Sequence, residues 1–248
     1  MTFFYSLNAK KAKRFLLLLS VSFFTALLLF TQNFLSIPVF SSKETPKAIY
    51  KGEKGIALTF DIGWGDEKAE KIVQTLIRHK TKATFFLSGS WAERHPDLIK
   101  KMKKHHYDIG LLGYQYVDYT ALTAEEIKRD ILKAQEVFKK LQIEDIKLMR
   151  APTGHFNQEV VNIADQMGMT YVHWSVDTKD WKNPGAARIL AKIKEAGPGD
   201  IIFLHASDSA KQTNELLPEA IDYLSARSKI VTVSELIANG TAETKLIN

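Results

Sequence analysis

The sequence predicts an α/β fold in which parallel strands, each followed by a helix, form a small, irregular β/α barrel. Short apolar runs alternate with helical stretches from about residue 56 to residue 238, without internal repeats. This alternation is typical of a parallel sheet covered by helices. Around 200 residues and about seven strand–helix units suit a small barrel. An open, doubly wound sheet is the alternative, because hydrophobic periodicity does not show whether a sheet closes.

The predicted elements follow one another along the chain. The predicted strands lie at 56–60, 83–89, 107–114, 146–152, 169–177, 201–207 and the first part of 229–238, and the predicted helices lie at 66–80, 96–106, 123–141, 157–168, 184–197 and 215–228. Thr123 and Glu126 have the spacing of a capping box at the start of one helix. Asn157 and Gly168 are suitable caps for the two ends of another.

The charge of the chain is concentrated near its N-terminus. Residues 1–47 hold six basic residues against Glu44, a net charge of +5, which leaves +1 of the total of +6 for residues 48–248. Nucleic-acid binding needs positive charge on the binding face, so no nucleic-acid partner is expected. The chain has no cysteine, which excludes disulfides, thiolate metal sites and a cysteine nucleophile.

The N-terminal region predicts a single-pass membrane anchor. The basic run KKAKR precedes FLLLLSVSFFTALLLF, and no charged residue occurs from Phe15 to Ser42. About 20 apolar residues cross a bilayer as a helix, and the basic run favours a cytoplasmic N-terminus. A signal peptide cleaved near 39–41 is the alternative. The expected organisation is a cytoplasmic segment 1–14, an anchor 15–37, a linker 38–51, a domain 52–240 outside the cytoplasm and a tail 241–248.

Polar residues follow several predicted strands, where parallel β/α folds place their chemistry. These residues are Asp61, Tyr114, Tyr116, Arg150, Asp177 and His205. Each has a simple alternative explanation: an aspartate after a strand often forms an Asx turn, an arginine pairs with such an acid, and a histidine packs. The coincidence of four such placements favours a functional site at one rim. The sequence contains no G-x-S-x-G elbow, no P-loop and no H-x-x-x-H pair.

Four motifs make the chain resemble a known family. TFDIGWGD, RAPTGHFN, SVDTKDW and FLH occur in the order and spacing of the polysaccharide deacetylases with a NodB-homology domain (carbohydrate esterase family 4), over roughly residues 52–240. The resemblance implies a distorted (β/α)7 barrel that removes N-acetyl groups from chitin-like or peptidoglycan sugars with zinc or a similar divalent ion. The first motif and the expected anchor are similar to the membrane-anchored, sporulation-associated branch of Bacillus-type bacteria.

The resemblance also implies roles for individual residues. Asp61 matches the base that takes a proton from the attacking water, and Arg150 matches the arginine that orients this base. His205 matches the acid that protonates the leaving amine, and Asp177 matches the carboxylate that holds this histidine and raises its pKa. The residues expected to shape the substrate groove are Pro152, Gly154, Trp181, Tyr116 and Trp64.

The sequence departs from the family at the metal ligands. The second aspartate of the usual TFDD motif is Ile62 here, and the two usual histidines of the second motif are Leu112 and Tyr116. We therefore expect no metal cofactor. A zinc-bound water has a pKa near 7 against about 15.7 for free water, so losing the ion costs up to roughly 12 kcal/mol of activation. The only nearby residues that would suit an unusual metal site are Asp61, Asp66, Glu67 and His205.

Two functional hypotheses follow. The first is a deacetylase-family hydrolase that acts on N-acetylated, peptidoglycan-like cell-wall glycan in sporulation, with weak or absent activity. The alternative is a non-catalytic glycan-binding or scaffold domain on the same fold. The abundant aromatic residues agree with the alternative, although aromatic rings often only pack a core. These residues are Trp64, Trp91, Tyr114, Tyr116, Trp174 and Trp181.

Overall fold

The computed structural model describes residues 9–34, 46–238 and 243–245 and divides the chain into two units, Met1–Glu44 and Thr45–Asn248. The first unit contains helix α1, Ala9–Phe34. Among the described residues, no helix is both long and apolar enough to cross a membrane. The predicted transmembrane anchor at 15–37 is therefore not supported, and its last three residues lie outside the described ranges.

The second unit is built on a parallel sheet. Its strands are β1 (Ala48–Lys51), β2 (Ile56–Ile62), β3 (Thr84–Leu87), β4 (Asp108–Leu111), β5 (Leu148–Met149), β6 (Thr170–Tyr171), β7 (Val176–Asp177), β8 (Ile201–His205), β9 (Ile230–Val231) and β10 (Glu243–Lys245). Within the described residues, eight of them form a sheet in the order β6-β5-β4-β3-β2-β8-β7, with β9 also paired to β2. Strands β1 and β10 form a separate antiparallel pair.

Helices connect the strands. They are α2 (Lys68–Arg78), α3 (Gly89–Ala92), α4 (Pro96–Lys104), α5 (Ala124–Lys140), α6 (Gln158–Gln166), α7 (Ala186–Lys194), α8 (Thr213–Ser225) and α9 (Val233–Ala238), with short 3₁₀ turns at Tyr119–Ala121 and Asp180–Lys182. The predicted capping box of Thr123 and Glu126 is confirmed at the start of α5. Asn157 caps α6 by accepting a hydrogen bond from the backbone of Val160.

The predicted parallel α/β architecture is confirmed as a half-barrel. In the described part of the chain, no ladder joins the end strands β6 and β7. Near this opening, β1 forms single bridges from Ile49 to Val172 and from Lys51 to Asp200. Residues 48–51 were expected in the linker and 243–245 in the tail, but each range forms a strand.

The predicted strand at 169–177 is divided into β6 and β7. The cause lies at Arg150, whose Nε donates to the carbonyl of Val172 and whose Nη2 donates to the carbonyl of His173. Both carbonyls belong to the connection between the two strands. Because these backbone groups bond to a side chain, the connection does not continue as a regular ladder.

Strand β2 separates two hydrophobic layers. An outer layer between the sheet and the helices receives Ile56, Leu58, Phe60 and Ile62. An inner layer within the half-barrel contains Ala57, Phe86, Leu112, Leu148, Val172 and Ile201. Successive residues of a strand point to opposite faces. The alternation therefore turns Thr59 and Asp61 toward the interior of the half-barrel.

Candidate active site

Two polar side chains lie side by side at the ends of neighbouring strands. The register pairs Asp61 of β2 directly with His205 of β8. Paired residues of parallel strands point to the same side of the sheet, so both side chains face the interior. Asp61 is 2% exposed and His205 is 7% exposed. The structure thus brings together the two residues that the resemblance assigns as base and acid.

Arg150, which follows β5, is completely buried beneath this pair. Its Nη1 donates to Asp61 Oδ1 at 2.7 Å and to Thr59 Oγ1 at 3.1 Å. Its Nε and Nη2 donate to the carbonyls of Val172 and His173 at 3.2 and 3.0 Å. A buried charge is tolerated when it is paired and its donors are satisfied. These contacts fix the carboxylate of Asp61 in one orientation, as the resemblance implies.

The surroundings of Asp61 change its acidity. Burial raises the pKa of Asp61, while the charges of Arg150 and His205 and the hydrogen bond from Arg150 oppose this effect, and the pKa remains above its ordinary value. Desolvation disfavours the charged form of a carboxyl group, which explains the direction. The Asp61 carboxylate is therefore a stronger base than a carboxylate in water.

The carboxylate that holds His205 is that of Asp180. His205 Nδ1 lies 2.7 Å from Asp180 Oδ1, and the backbone N–H of His205 donates to Asp180 Oδ2 at 2.7 Å. Thr213 Oγ1 also donates to Asp180 Oδ2 at 2.7 Å. Asp180 is completely buried. One carboxylate thus fixes both the ring and the backbone of the histidine.

The predicted partner of His205, Asp177, was therefore the wrong acid of the DTKDW motif. Asp177 Oδ1 accepts a hydrogen bond from the backbone N–H of Lys179 at 2.9 Å, a local turn contact. Lys179 then adopts a left-handed conformation with φ +52°, and the following 3₁₀ turn carries Asp180 to the histidine. The second acid of the motif was visible in the sequence, but the turn that directs it inward was not.

The surroundings of His205 favour its charged form. Burial lowers the pKa of His205, but the hydrogen bond and negative charge of Asp180, together with the charge of Asp61, raise it above its ordinary value. An adjacent carboxylate stabilises an imidazolium ion, which gives this direction. His205 is therefore suited to hold a proton and to donate it.

A cavity of about 490 Å³ opens over His205. Its walls comprise Gly63, Trp64, Tyr116, Thr153, Gly154, His155, Trp174, Asp177, Trp181, Phe203, His205, Ser207 and Ser209. Four of the five predicted groove residues thus line it. The exception is Pro152, which is buried and lies against Gly113.

The aromatic residues divide between the cavity and the core. Trp64 and Trp181 line the cavity with 49% and 47% of their surfaces exposed. Trp174 also lines it and stacks on Phe203 with the ring centroids 3.9 Å apart. By contrast, Trp91 is fully buried, and its Nε1 donates to a backbone carbonyl. The half-exposed indoles offer apolar faces at the mouth of the cavity.

The loop after β2 is held by a residue that sequence reasoning did not single out. Asp208 accepts hydrogen bonds from the backbone N–H groups of residues 66, 67 and 68 at the start of α2. Burial raises the pKa of Asp208, but these backbone hydrogen bonds together lower it by more, so the pKa lies below its ordinary value. Gly65 passes this carboxylate with φ +99°, and an added Cβ would lie 2.6 Å from Asp208 Cγ. A glycine is therefore required there.

The residues at the usual metal-ligand positions do not fit a divalent ion. Ile62 and Leu112 are fully buried in the outer and inner hydrophobic layers. Burial and the charge of Asp61 raise the pKa of Tyr116 to about 12, so its phenol is neutral near pH 7. Hydrocarbon side chains and a neutral phenol are poor ligands for zinc.

The acids considered for an unusual metal site do not provide a replacement. Asp66 Oδ1 lies 2.9 Å from His95 Nε2 and close to Arg94. In the described ranges, no three histidine or acidic side chains are grouped so that they could hold a metal ion.

A sequence model of the polysaccharide deacetylase family matches residues 48–172, about half of the chain. The matched range begins at β1 and includes Asp61 and Arg150. The chain belongs to the polysaccharide deacetylase family.

Two similar proteins are described differently, one as a deacetylase and one as uncharacterised. The chain is 34% identical to a peptidoglycan-N-acetylglucosamine deacetylase of Bacillus cereus over 190 residues, covering 75% of this chain and 89% of that protein. It is also 34% identical over 179 residues to the uncharacterised protein YlxY of Bacillus subtilis, covering 69% of this chain and only 55% of YlxY.

The fold is also similar to solved structures. A CE4 family pseudoenzyme from Bacillus anthracis aligns with a TM-score of 0.72 and 30% identity, covering 77% of this chain and 69% of that one. A mutant of this pseudoenzyme with restored enzymatic activity aligns with a TM-score of 0.72 and 31% identity, covering 77% and 71%. The chain thus resembles proteins named as enzymes and a protein named as a pseudoenzyme.

Proposed function

We propose that this protein binds N-acetylated cell-wall glycan of the peptidoglycan type in the cavity over His205 and hydrolyses its acetamide slowly, without a metal. The observation that carries the proposal is the cavity itself, which brings half-exposed indole faces together with His205, and His205 is paired in the strand register with Asp61. Sugar rings present C–H faces that pack on aromatic rings, and His205 lines the same cavity beside its strand neighbour Asp61.

The hydrolytic step uses two side chains. Asp61 accepts a proton as a water oxygen bonds to the acetamide carbonyl carbon. His205 donates its proton to the nitrogen as the carbon–nitrogen bond breaks, which yields acetate and a free amine. General acid–base catalysis supplies about 10²–10⁴-fold, far less than metal activation of the water, so turnover is slow.

The second candidate function is glycan binding without turnover. It is supported by Ile62 and Leu112, which place hydrocarbon at two ligand positions. The similarity to a Bacillus anthracis protein described as a pseudoenzyme supports it as well. Acetate release separates the two functions, because binding alone produces none.

Trp181 provides a direct test of binding. We expect Trp181→Ala to weaken the binding of an N-acetylglucosamine tetramer about three- to tenfold, because stacking on an aromatic ring contributes about 0.5–1.5 kcal/mol. Isothermal titration calorimetry measures the affinity, and acetate is assayed in the same samples with zinc or with a chelator. Leu132→Ala is the control, since Leu132 is 52% exposed outside the cavity.

The outcomes of this experiment are distinct. Binding with slow acetate release that zinc and chelator leave unchanged supports metal-free hydrolysis. Binding without acetate supports the second candidate. Failure of the wild-type protein to bind, or strong stimulation by zinc, contradicts the proposal.

We further propose that the domain works outside the cytoplasm during sporulation. Its proposed substrate lies outside the cytoplasm, and its first motif resembles that of the sporulation-associated branch. Deleting the gene in a spore-forming host should lower the yield of heat-resistant spores. Complementation with the wild-type gene should restore the yield, and complementation with Asp61→Asn reports whether the acid–base pair is needed. Normal spores from the deletion strain would contradict this role.

A further inference from the structure

Tyr116 stands at one of the lost metal-ligand positions and lines the cavity together with His205. Its phenol is close enough to Asp61 for the charge of that carboxylate to raise its pKa. Tyr116 therefore lies near Asp61 and on the wall of the cavity that His205 also lines. In the part of the chain that the structure describes, no group forms a hydrogen bond with the Tyr116 hydroxyl.

The position of the Tyr116 ring is set by packing. A Cβ added to Gly63 would overlap the ring at Cδ2 and lie 3.0 Å from Cε2 and Cγ. The ring thus packs directly against the backbone after β2, where only glycine leaves room for it. Gly63 also lines the cavity. Contact with the backbone restricts the ring at the edge of the cavity.

The Tyr116 hydroxyl can supply a hydrogen-bond donor that the proposed hydrolysis requires. A neutral phenol donates a hydrogen bond and polarises a carbonyl oxygen, as a Lewis-acidic ion would do more strongly. Asp61 is an acceptor when ionised, and His205 donates to the leaving nitrogen in the hydrolytic step. The carbonyl oxygen of the acetamide consequently needs a donor that neither of these residues supplies.

We propose that the Tyr116 hydroxyl donates a hydrogen bond to the acetamide carbonyl oxygen of the bound sugar, the role that a Lewis-acidic ion would have if the usual ligand residues were present. This inference rests on the proposed glycan binding and makes Tyr116 the residue that distinguishes an N-acetylated sugar from its free amine. The hydrogen bond holds the carbonyl while His205 faces the nitrogen.

The test compares Tyr116→Phe with wild type, using an N-acetylglucosamine tetramer labelled with ¹³C at the acetyl carbonyl, and the matching glucosamine tetramer. The variant keeps the ring and removes only the hydroxyl. We expect about three- to tenfold weaker binding of the acetylated tetramer, the range of a neutral hydrogen bond, and unchanged binding of the deacetylated one. The carbonyl ¹³C resonance should move downfield on wild-type protein and lose this shift on the variant.

Two further variants complete the experiment. Tyr114→Phe is the matched control, because the Tyr114 hydroxyl bonds to Glu93 and the residue lies outside the cavity. Gly63→Ala should reproduce the effect of Tyr116→Phe by displacing the ring. Wild-type binding with an unchanged affinity and carbonyl shift in Tyr116→Phe overturns this inference and leaves the proposed function intact. Absence of wild-type binding removes the proposed function itself.

Discussion

Replacing Arg150 with methionine is expected to lower the free energy of unfolding by about 3–5 kcal/mol at neutral pH, the usual cost of breaking a buried ion pair. Methionine fits the space, since the guanidinium lies among the rings of Phe86, Trp174 and Phe203. The loss arises because Asp61, 2% exposed, remains as a buried charge without its partner. Urea unfolding monitored by tryptophan fluorescence gives the free energy.

The pH dependence of this loss identifies its cause. Without Arg150, the pKa of Asp61 rises further above the ordinary value of 3.8, because burial acts without the opposing positive charge. A carboxyl group with a raised pKa in the folded state destabilises the protein as it ionises. The stability lost in the variant should therefore be small in acid. It should grow as the pH rises from the folded-state pKa of Asp61 in the wild type to the higher folded-state pKa of Asp61 in the variant, and stay constant above that.

Two variants serve as controls for Arg150→Met. The exposed Arg129 on α5 can be replaced with methionine, and this should change stability by no more than about 0.5 kcal/mol. Adding Asp61→Asn to Arg150→Met should recover part of the loss, because the buried charge is then removed. A loss below about 1 kcal/mol, or a loss independent of pH, would show that the ion pair does not have this structural role.

The sequence predicted the residues of the candidate site best where a polar residue directly follows a strand. Asp61 and His205 were located because each ends an apolar run, and parallel strands bring such ends together. Arg150 was located in the same way after β5. The hydrophobic pattern also predicted most elements, since burial on one face produces the periods of helices and strands.

The sequence prediction was wrong where the backbone conformation depends on a distant side chain or on an uncommon turn. The run at 169–177 has the composition of one strand, yet two of its carbonyls bond to Arg150, and no local pattern contains that contact. Whether the sheet closes between β6 and β7 was left open by the sequence, because closure depends on pairing between distant segments. The choice between Asp177 and Asp180 depended on a left-handed turn at Lys179, a conformation that sequence rules assign mainly to glycine or asparagine.

Replacing Asp180 with asparagine is expected to lower both the pKa of His205 and the stability of the domain. The hydrogen bond and the charge of Asp180 raise the pKa of His205, whereas burial lowers it and persists in the variant. The amide oxygen can accept from the His205 backbone and from Thr213, but the amide NH2 group then faces His205 Nδ1, so a protonated ring meets a donor instead of an acceptor. We expect a loss of about 1–3 kcal/mol, the cost of an unsatisfied buried polar group.

The sign of the pH effect follows from linkage. In the wild type, the pKa of His205 is raised above its unfolded value of 6.5. Protonated His205 therefore contributes stability that is fully present below pH 6.5 and is lost as the pH rises through the folded-state pKa. In Asp180→Asn, this contribution disappears, so the stability difference between the two proteins should be largest in mild acid and decrease toward alkaline pH.

NMR titration of the ¹³Cε1 resonance of His205 measures the pKa directly, and urea midpoints at several pH values measure the stability. Asp177→Asn is the matched control, because Asp177 contacts the backbone of Lys179 and does not hydrogen-bond to His205. Its His205 resonance should titrate as in the wild type.

A lowered pKa of His205 in Asp177→Asn, together with an unchanged pKa in Asp180→Asn, would show that Asp177 is the partner of the histidine. The identity of this partner matters, because a carboxylate that holds one ring nitrogen of a histidine leaves the other nitrogen to present a proton.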